Sequence, residues 1–457
     1  MANLSSLNTA FSGLNSQRRV LDVTAHNIAN ARTEGYHRQR ADLQSLGRSA
    51  GSGVFSGTSQ SYGVDVAGVS RAYDVLLASR AIREESARHA SGMTATSMAT
   101  VEGIFPEPSD LGLAHAMDVF WSSFSDLAND PGSLSARTQL LENAQTLTTS
   151  LNRTSGELQA VADSARNRMN TLAAEVNDLA DQIGNLNRTI SSSFGTNLDL
   201  LDQRDVLMGQ MADLTGAVAR TGENGTLDVY INGRAVVSNT IVQRVDGTTG
   251  TLTWQSDSAP VNPASGDAQA LTAVITDVVP RYRAMLDGVA AALVTGVNTL
   301  HSAGYDQAGT TGRNFFDPAN LTAASISLSV DVAGQPANIA AGAPVLPGPT
   351  APGALDGEQA RLMAALADSP TGADTSYQSL ITTLAVETRA ANNRAAIQER
   401  VADSAVRDAD SVGSVSIDEE MANLMAAQRA FEANARVITA IDEMLGFLIE
   451  RTGVVGR

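Results

Sequence analysis

The side chains that most often carry catalytic or metal chemistry are few in this chain, and their spacing does not suit it. The five histidines are His26, His37, His89, His115 and His301. None belongs to an H-E-x-x-H zinc motif. Asp22 with His26, and Glu85 with His89, stand one helical turn apart, but two ligands are too few for a structural metal site. We therefore expect surface or capping histidines and no metal centre.

Three acids at intervals of three residues, Asp199, Asp202 and Asp205, have the composition of a cation site. They lack the Asp-x-Asp-x-Asp-Gly alternation of a calcium-binding loop. Asp199 is placed to cap a helix, and Arg204 directly precedes Asp205. We interpret the group as a structural network.

Motifs of enzymes and nucleotide-binding proteins are absent from the sequence. All 31 basic residues are arginine, which excludes a Walker lysine, and neither G-x-S-x-G nor a dinucleotide fingerprint occurs. Glu419 and Glu420 stand in the first turn of a predicted helix, where acids offset the helix dipole. The sequence predicts no active site, no cofactor and no enzymatic function.

The composition favours a scaffolding role. A net charge of −18 repels phosphate, which argues against a nucleic-acid partner. The chain has no cysteine, so disulfides and thiolate metal sites are excluded. No run of about eighteen apolar residues occurs, and the amino terminus lacks the pattern of a Sec-type signal. We expect no membrane insertion.

Predicted helices at both ends of the chain carry narrow apolar stripes. Apolar side chains recur there every three or four residues, which is the spacing of a coiled-coil seam. The amino-terminal seam comprises Leu4, Leu7, Phe11, Leu14, Leu21, Ala25 and Ile28. The carboxy-terminal seam comprises Ile417, Met421, Leu424, Phe431, Ala435, Ile438, Ile441, Leu445 and Leu448. We expect the two terminal helices to pair as a coiled coil.

Between the ends, the pattern predicts long helices interrupted by a β-rich insert. A seam from Leu140 to Ile190 predicts a single helix, whose length would be roughly 75–80 Å at 1.5 Å per residue. From 216 to 277 the period changes to two and Asn-Gly turns appear, which is typical of short strands. A further strand is expected at 326–332. The predicted fold class is mainly α with a small β-rich insert.

The order of elements predicts a nested, multidomain rod with the β domain outermost. The predicted domains are a terminal coiled-coil domain of 1–46 with 412–457, a long-helix rod domain of 47–215 with 280–411 that includes the loop 305–355, and a β-rich inserted domain of 216–279. The glycine- and serine-rich segments at 47–62 and 411–416 are predicted to be flexible links.

The terminal seams allow two interpretations. An amphipathic helix most often forms half of a core inside one chain. Two long, narrow stripes at opposite termini, each next to a flexible link, instead favour an assembly surface, since a two-helix domain alone has little core. On that interpretation, the ends become fully ordered only when neighbouring copies pack against them.

Motifs at both ends and in the interior carry a family resemblance. At the amino end they are Asn27, Ile28, Ala29, Asn30, Thr33, Gly35, Tyr36, Arg38 and Gln39. At the carboxy end they are Ser416 to Leu424, Gln428, Phe431, Ala433 to Arg436, Val437 and Ile438. The interior ones are the run Asp199 to Asp205, which includes Asp202, Gln203 and Arg204, and the group Asn298, His301, Gly304, Tyr305, Asp306, Phe315 and Phe316. The end motifs resemble the flagellar axial proteins of the rod, hook and hook-associated group, and the interior motifs resemble its hook–filament junction branch.

The resemblance implies a structural subunit of the bacterial flagellum, exported by the flagellar type III apparatus without a cleaved signal. It implies a ring of about eleven copies between hook and filament. The implied partners are the hook protein, the second junction protein and an export chaperone at the carboxy-terminal helix. A hook or distal rod protein of the same group is the alternative, because the end motifs are shared.

Overall fold

The protein is described by a computed structural model that covers residues 2–46, 63–193, 197–344, 353 and 355–452. The α-helices are α1 Ala2–Asn30, α2 Val75–Gly103, α3 Leu113–Asn129, α4 Leu134–Ser192, α5 Leu198–Thr215, α6 Gly266–Ala273, α7 Val279–Ala303, α8 Glu358–Ala364, α9 Ala373–Gly413 and α10 Ile417–Thr452. The strands are β1 Gln39–Ser45, β2 Val64–Arg71, β3 Val218–Thr221, β4 Leu227–Ile231, β5 Arg234–Ser238, β6 Ile241–Val242, β7 Val245–Asp246 and β8 Thr253–Trp254. The prediction of a mainly α fold with a small β-rich insert is confirmed.

The first and last helices pack against each other along most of their length. Asn27 near the end of α1 contacts Glu420 near the start of α10, whereas Gly13 lies opposite Asn434 further along α10. The two helices are therefore antiparallel. The hairpin of β1 and β2 also packs on α1, and Ser16 Oγ of α1 donates to the carbonyl of Val64 at 3.1 Å.

The face that α1 buries is not its apolar seam. Its buried residues are mostly small or polar: Ala10, Gly13, Ser16, Val23, Thr24 and Asn27. Leu7, Leu14, Leu21 and Ile28 of the predicted seam are half-buried, and Phe11 is 57% exposed. Small side chains let the α1 backbone approach its neighbours closely, so the inner face is built from them and the large apolar groups lie to one side.

The inner face of α10 follows the predicted three-and-four stepping more closely. The side chains of α10 that are buried or half-buried at this spacing are Glu420, Leu424, Ala427, Phe431, Asn434, Ile438, Ile441 and Leu445. Ile417 and Met421, placed in the seam by the sequence pattern, are 44% and 43% exposed. The side chains of Leu4 and Leu448 lie outside the described part of the structure.

The helical body is built on α4, which has 59 residues and a length of about 90 Å at 1.5 Å per residue. Ser133 caps its first turn by accepting a hydrogen bond from the Ala136 amide at 3.2 Å. Leu140, Leu147, Met169 and Ile190 of its predicted seam are fully buried. The core around α4 is continuous from α2 to α9 and includes residues of the β-rich insert.

The insert contains a four-stranded antiparallel sheet in the order β3-β4-β5-β6 and a two-stranded sheet of β7 and β8. Asn232 and Gly233 connect β4 to β5 with positive φ angles, as a two-residue hairpin turn requires. The period-two interpretation of 270–275 was wrong, because that segment forms α6 and a following turn of π-helix, Val274–Val278. At 326–332 the described structure has one isolated bridge, from Phe316 to Leu328, in place of the expected strand.

The link before α10 is shorter than the sequence suggested. Helix α9 runs to Gly413, so only residues 414–416 separate it from α10. The other predicted link, at 47–62, lies outside the described residues. The three-domain division itself remains a prediction.

Candidate functional site

The best-defined polar cluster joins the terminal helices to the body. We call it the joint, defined as Asn27, residues 35–39, Arg71, Asp199, Asp202, Asp205, Gly413 and Glu420. Its members come from α1, β1, β2, α5, α9, α10 and the turn after α1. The joint therefore connects both ends of the chain to the middle of the sequence.

Asn27 is the hub of the joint, and it is only 1% exposed. Its Oδ1 accepts from the Gln39 amide at 2.9 Å and from the Tyr36 hydroxyl at 2.8 Å. Its Nδ2 donates to the Gln39 carbonyl at 2.8 Å and to Glu420 Oε2 at 2.9 Å. Four hydrogen bonds satisfy the whole amide, so no other side chain of this size would replace it without leaving buried groups unpaired.

Glu420 brings the start of α10 into the joint. It is 2% exposed, and its Oε1 accepts from Arg38 Nε at 2.8 Å. Its sequence position suggested only a first-turn acid that offsets the helix dipole. The structure adds a buried, charge-assisted contact to Arg38 and a hydrogen bond from α1, which together hold α10 in register.

The acids of α5 hold the segment that follows α1 and the end of β2. Asp202 Oδ1 lies 2.7 Å from His37 Nδ1 and 2.6 Å from Arg71 Nη1. Arg71 Nη1 also donates to Asp205 Oδ2 at 2.9 Å, so this guanidinium bridges two turns of α5. The predicted structural network is present, although Arg71, which the sequence did not single out, is its central cation.

Asp199 and the first turn of α5 differ from the prediction. The N-cap is Asn197, whose side chain accepts from the Leu200 amide, and Asp199 lies inside the helix. Asp199 Oδ1 instead accepts from Gln39 Nε2 at 2.8 Å. Its carboxylate thus adds a further contact between α5 and the chain after α1.

Two glycines let the backbones of the joint approach each other. Gly35 has a φ of +71°, and a Cβ there would lie 2.2 Å from Val206 Cγ2 of α5. A Cβ on Gly413 would lie 2.7 Å from His37 Cδ2. The Gly413 carbonyl accepts from the Arg38 amide at 2.8 Å, which attaches the end of α9 to the same segment.

The remaining motif residues have different roles. Asn30 and Thr33 shape the turn after α1, since Thr33 Oγ1 donates to Asn30 Oδ1 at 3.2 Å and the Thr33 amide donates to the Asn30 carbonyl at 2.9 Å. Arg204 is 4% exposed and donates to the Gly225 carbonyl at 2.6 Å, which ties α5 to the β-rich insert. Gln203 is exposed.

The electrostatics of the joint fit a structural network. Burial raises the pKa of Asp205, against the opposing effects of Arg71 and Arg204. Burial lowers the pKa of Arg71, but Asp205 and Asp202 outweigh it, so the net shift is upward. Burial, with the Asp205 charge, raises the pKa of Tyr73 to about 12. The upward shifts of Arg71 and Tyr73 keep the guanidinium group charged and the phenol protonated near neutral pH.

The acids of the joint are engaged by arginine, histidine and amide groups of the chain itself. Among the described residues, no cluster of three or more His, Cys, Asp or Glu has metal-binding geometry. Within the same residues, no helix is long and apolar enough to cross a membrane. What the joint does chemically is fix the angle and register between the terminal helix pair and the body.

Three stretches of the chain match known families. Residues 98–316 match the family described as "Flagellar hook-associated protein FlgK helical domain". Residues 414–451 match "Flagellar basal body rod FlgEFG protein C-terminal", and residues 7–37 match "Flagella basal body rod protein". The joint thus brings together segments from both terminal matches and the interior one.

Two relatives with long matches to this chain are both named flagellar hook-associated protein 1. Flagellar hook-associated protein 1 of Bacillus subtilis is 28% identical over 507 residues, and the match covers 99% of each chain. Flagellar hook-associated protein 1 of Salmonella typhimurium is 26% identical over 346 residues, a match that covers 71% of this chain and 61% of that relative. The solved structure of the flagellar hook junction protein FlgK from Burkholderia pseudomallei has the same fold, with a TM-score of 0.62, 14% identity, and coverage of 75% of this chain and all of that one.

The paired terminal helices and their family matches define a flagellar axial protein, in which both ends of the chain form one helical unit beside an inserted body. Within that class, the interior match and the full-length relative identify the chain as a homologue of flagellar hook-associated protein 1.

Proposed function

We propose that this chain is the adaptor subunit that joins hook to filament, and that it does so by stacking its terminal helices against those of neighbouring copies. The joint supports this function, because a buried, fully hydrogen-bonded connection transmits the orientation of the terminal pair to the body. We expect no enzymatic activity. A subunit of this kind needs rigid internal geometry and an adhesive surface.

The observation that carries the proposal is the apolar surface that the terminal helix pair leaves exposed. The large side chains concerned are Phe11, Ile417, Met421, Met425, Val437 and Met444, each at least 43% exposed. A soluble monomer rarely exposes so many large apolar groups on one two-helix unit. Burial of such groups between copies would be stabilising at about 25 cal/mol per Å².

The proposed seam consists of the residues expected from sequence. Leu7, Phe11, Leu14, Leu21 and Ile28 would contact neighbouring copies from α1, together with Leu4. In α10, Ile417 and Met421 would do so, together with Leu448. Leu424, Phe431, Ile438, Ile441 and Leu445 would support the seam from the inner face, which already packs within the subunit.

The proposed assembly is a ring of about eleven copies, closed by cyclic repetition of one interface. Its partners would be the flagellar hook protein on one side and the second hook–filament junction protein on the other. The subunit would leave the cell through the flagellar type III system, with a chaperone holding its carboxy-terminal helix, and would act outside the cell. Absence of cysteine suits passage as an unfolded chain.

The alternative is a hook or distal rod protein of the same axial group. The matches at 7–37 and 414–451, whose family names refer to the basal body rod, favour it. The match of 98–316 to the hook-associated helical domain favours the junction function, because that segment contains α3, α4, α5 and the β-rich insert.

Deletion of the gene distinguishes these two functions. We expect the deletion strain to make complete hooks without filaments and to release flagellin into the medium, as measured by electron microscopy and by immunoblotting of the supernatant. Complementation with the full chain should restore filaments. A strain without hooks would contradict the junction function and favour the rod or hook alternative.

A further inference from the structure

A cavity of about 480 Å³ lies between the start of α2, α5 and the first strands of the β-rich insert. Its volume is within the range of small-molecule sites, about 300–1,000 Å³. The apolar part of its wall is formed by Val75, Ile82, Leu201, Met208, Ala217 and Leu227. The cavity is next to the joint, but most of its wall takes no part in the hydrogen bonds of the joint.

The charged part of the wall has more cations than anions. Three arginines, Arg71, Arg83 and Arg204, line the cavity together with one acidic residue, Asp205. Asp205 already accepts from Arg71 at 2.9 Å. It lies 3.9 Å from Arg204, too far for a direct hydrogen bond. The cavity is thus locally positive in a chain whose net charge is −18.

Arg204 is a buried cation of this wall with an unused hydrogen-bond donor. It is 4% exposed, and its Nε has no hydrogen-bond acceptor among the described residues. Burial lowers its pKa despite the nearby Asp205. A buried guanidinium with an unused donor is costly unless an anion compensates it.

Arg83 supplies a second available cation. Its side chain is exposed and lines the same cavity, and among the described residues no carboxylate lies within ion-pair distance of it. The rim also carries Val75, which is 66% exposed, and Val218, which is 44% exposed. A ligand at this rim would therefore meet a free positive charge beside apolar side chains.

We propose that the cavity is a binding site for a carboxylate attached to an apolar group. The guanidinium groups of Arg83 and Arg204 would bind the carboxylate of the ligand. The apolar side chains of the wall, among them Ile82 and Leu227, would contact its apolar group. Arg71 already donates hydrogen bonds to Asp202 and Asp205. It would therefore attract the carboxylate of the ligand through its charge more than through direct hydrogen bonds. The proposal does not depend on the flagellar function.

Two sources could supply this ligand chemistry. One is a free aliphatic carboxylate. The other is an acidic residue beside an apolar one on another polypeptide, of which this chain contains an example: Asp418 and Glu419 are exposed beside the exposed Ile417 and Met421. The experiment below has a separate arm for each source.

The first arm measures the binding of octanoate to the full chain by isothermal titration calorimetry, with neutral octanamide as the control ligand. We expect octanoate to bind and octanamide to bind at least about fivefold more weakly, since only octanoate satisfies the guanidinium groups. Arg83→Gln and Val75→Glu alter exposed side chains at the rim and should each weaken octanoate by about fivefold. Arg361→Gln removes another exposed arginine, on α8, away from the cavity, and should leave the affinity unchanged.

The second arm adds a peptide with the sequence of residues 416–424 as competitor. If the peptide displaces octanoate, the ligand of the cavity is an acidic segment of a polypeptide. If octanoate stays bound, the ligand is a free aliphatic carboxylate. Equal affinities for octanoate and octanamide overturn the proposal, as do equal octanoate affinities in the Arg83→Gln and Arg361→Gln proteins. Circular dichroism of each variant checks that the fold is intact.

Discussion

At the scale of single residues, Asn27 shows how one amide sets the geometry of a much larger unit. It closes the turn after α1 through Gln39 and Tyr36, and it reaches α10 through Glu420. A single buried side chain of α1 is thus hydrogen-bonded both to α10 and to the chain that leads to the body. Any change at this position acts on all three.

We predict that Asn27→Ala weakens the attachment of α10 by about 2–3 kcal/mol, because it leaves buried groups of Gln39 and Glu420 without partners. Hydrogen exchange of the first turns of α10 should then become faster by a factor of roughly 30 to 150. Asn423→Ala is the control, since Asn423 is exposed and its contact to Glu420 is a weak one of 3.4 Å. Equal exchange rates in the two variants would contradict the role of Asn27.

His301 provides a second residue-scale prediction, concerned with pH. It is 1% exposed; its Nε2 accepts from the Ala340 amide at 3.0 Å, and its Nδ1 donates to the Arg313 carbonyl at 2.8 Å. Burial lowers its pKa from 6.5 to about 4. Between these values the unfolded chain binds a proton and the folded chain does not, so acid favours unfolding.

We therefore expect His301 to reduce the free energy of unfolding by about 2–3 kcal/mol when the pH falls from 7 to 4.5. His301→Gln should lose that part of the pH dependence, whereas His115→Gln, which changes an exposed histidine, should keep it. Urea unfolding at both pH values measures the difference. The same acid sensitivity in both variants would show that His301 does not titrate in this way.

At the scale of elements, the packing of α1 on α10 depends on small residues more than on the apolar seam. A Cβ on Gly13 would lie 3.0 Å from the Asn434 side chain, a contact tighter than most real ones. The inner face of α1 is therefore specified by the small size of its residues. Size is a weak signal in a sequence, because Ala, Gly and Ser also occur on exposed faces.

We predict that Gly13→Val destabilises the terminal helix pair by about 1–3 kcal/mol, since the added methyl groups push α10 away. Gly446→Ala is the matched control, because no atom lies within 4 Å of the added methyl and alanine favours a helix. Hydrogen exchange of α1 and α10 in both proteins provides the comparison. Faster exchange in Gly446→Ala than in Gly13→Val would be inconsistent with this packing.

An element could be predicted from the sequence when the contacts that stabilise it join residues close together in the chain. The helix α4 was predictable from Leu140 to Ile190, because its apolar period repeats over many turns. The segment 270–275 was not, since a short apolar run fits both a strand and a buried helix. Arg71 was missed because its partners, Asp202 and Asp205, are more than 130 residues away and no local pattern connects them.

At the scale of the whole molecule, the body and the terminal helix pair differ in how well they are packed. The body has a continuous buried core, whereas the terminal helix pair is only partly buried. The continuous core of the body takes its residues from α2 to α9. The terminal pair buries small and polar groups inward and leaves large apolar groups outward. This division suits a subunit whose body folds alone and whose ends complete their packing in an assembly.

Phe11 tests that division directly, because it lies in the proposed seam and is 57% exposed. We predict that Phe11→Glu changes the free energy of unfolding of the monomer by less than about 0.5 kcal/mol, since an exposed side chain has few contacts to lose. In the assembly the added carboxylate would be buried against apolar neighbours, so the variant should fail to restore filaments in the deletion strain.

Val330→Glu is the control for this substitution, because Val330 is 90% exposed and lies on the body, far in sequence from both terminal helices. It introduces the same charge and should restore swimming to the level of the unmodified chain. Immunoblots of the supernatant check that both variants are exported. If exported Phe11→Glu supports normal filaments, the outward face of α1 is not an assembly surface, and the subunits must be held together by other parts of the chain.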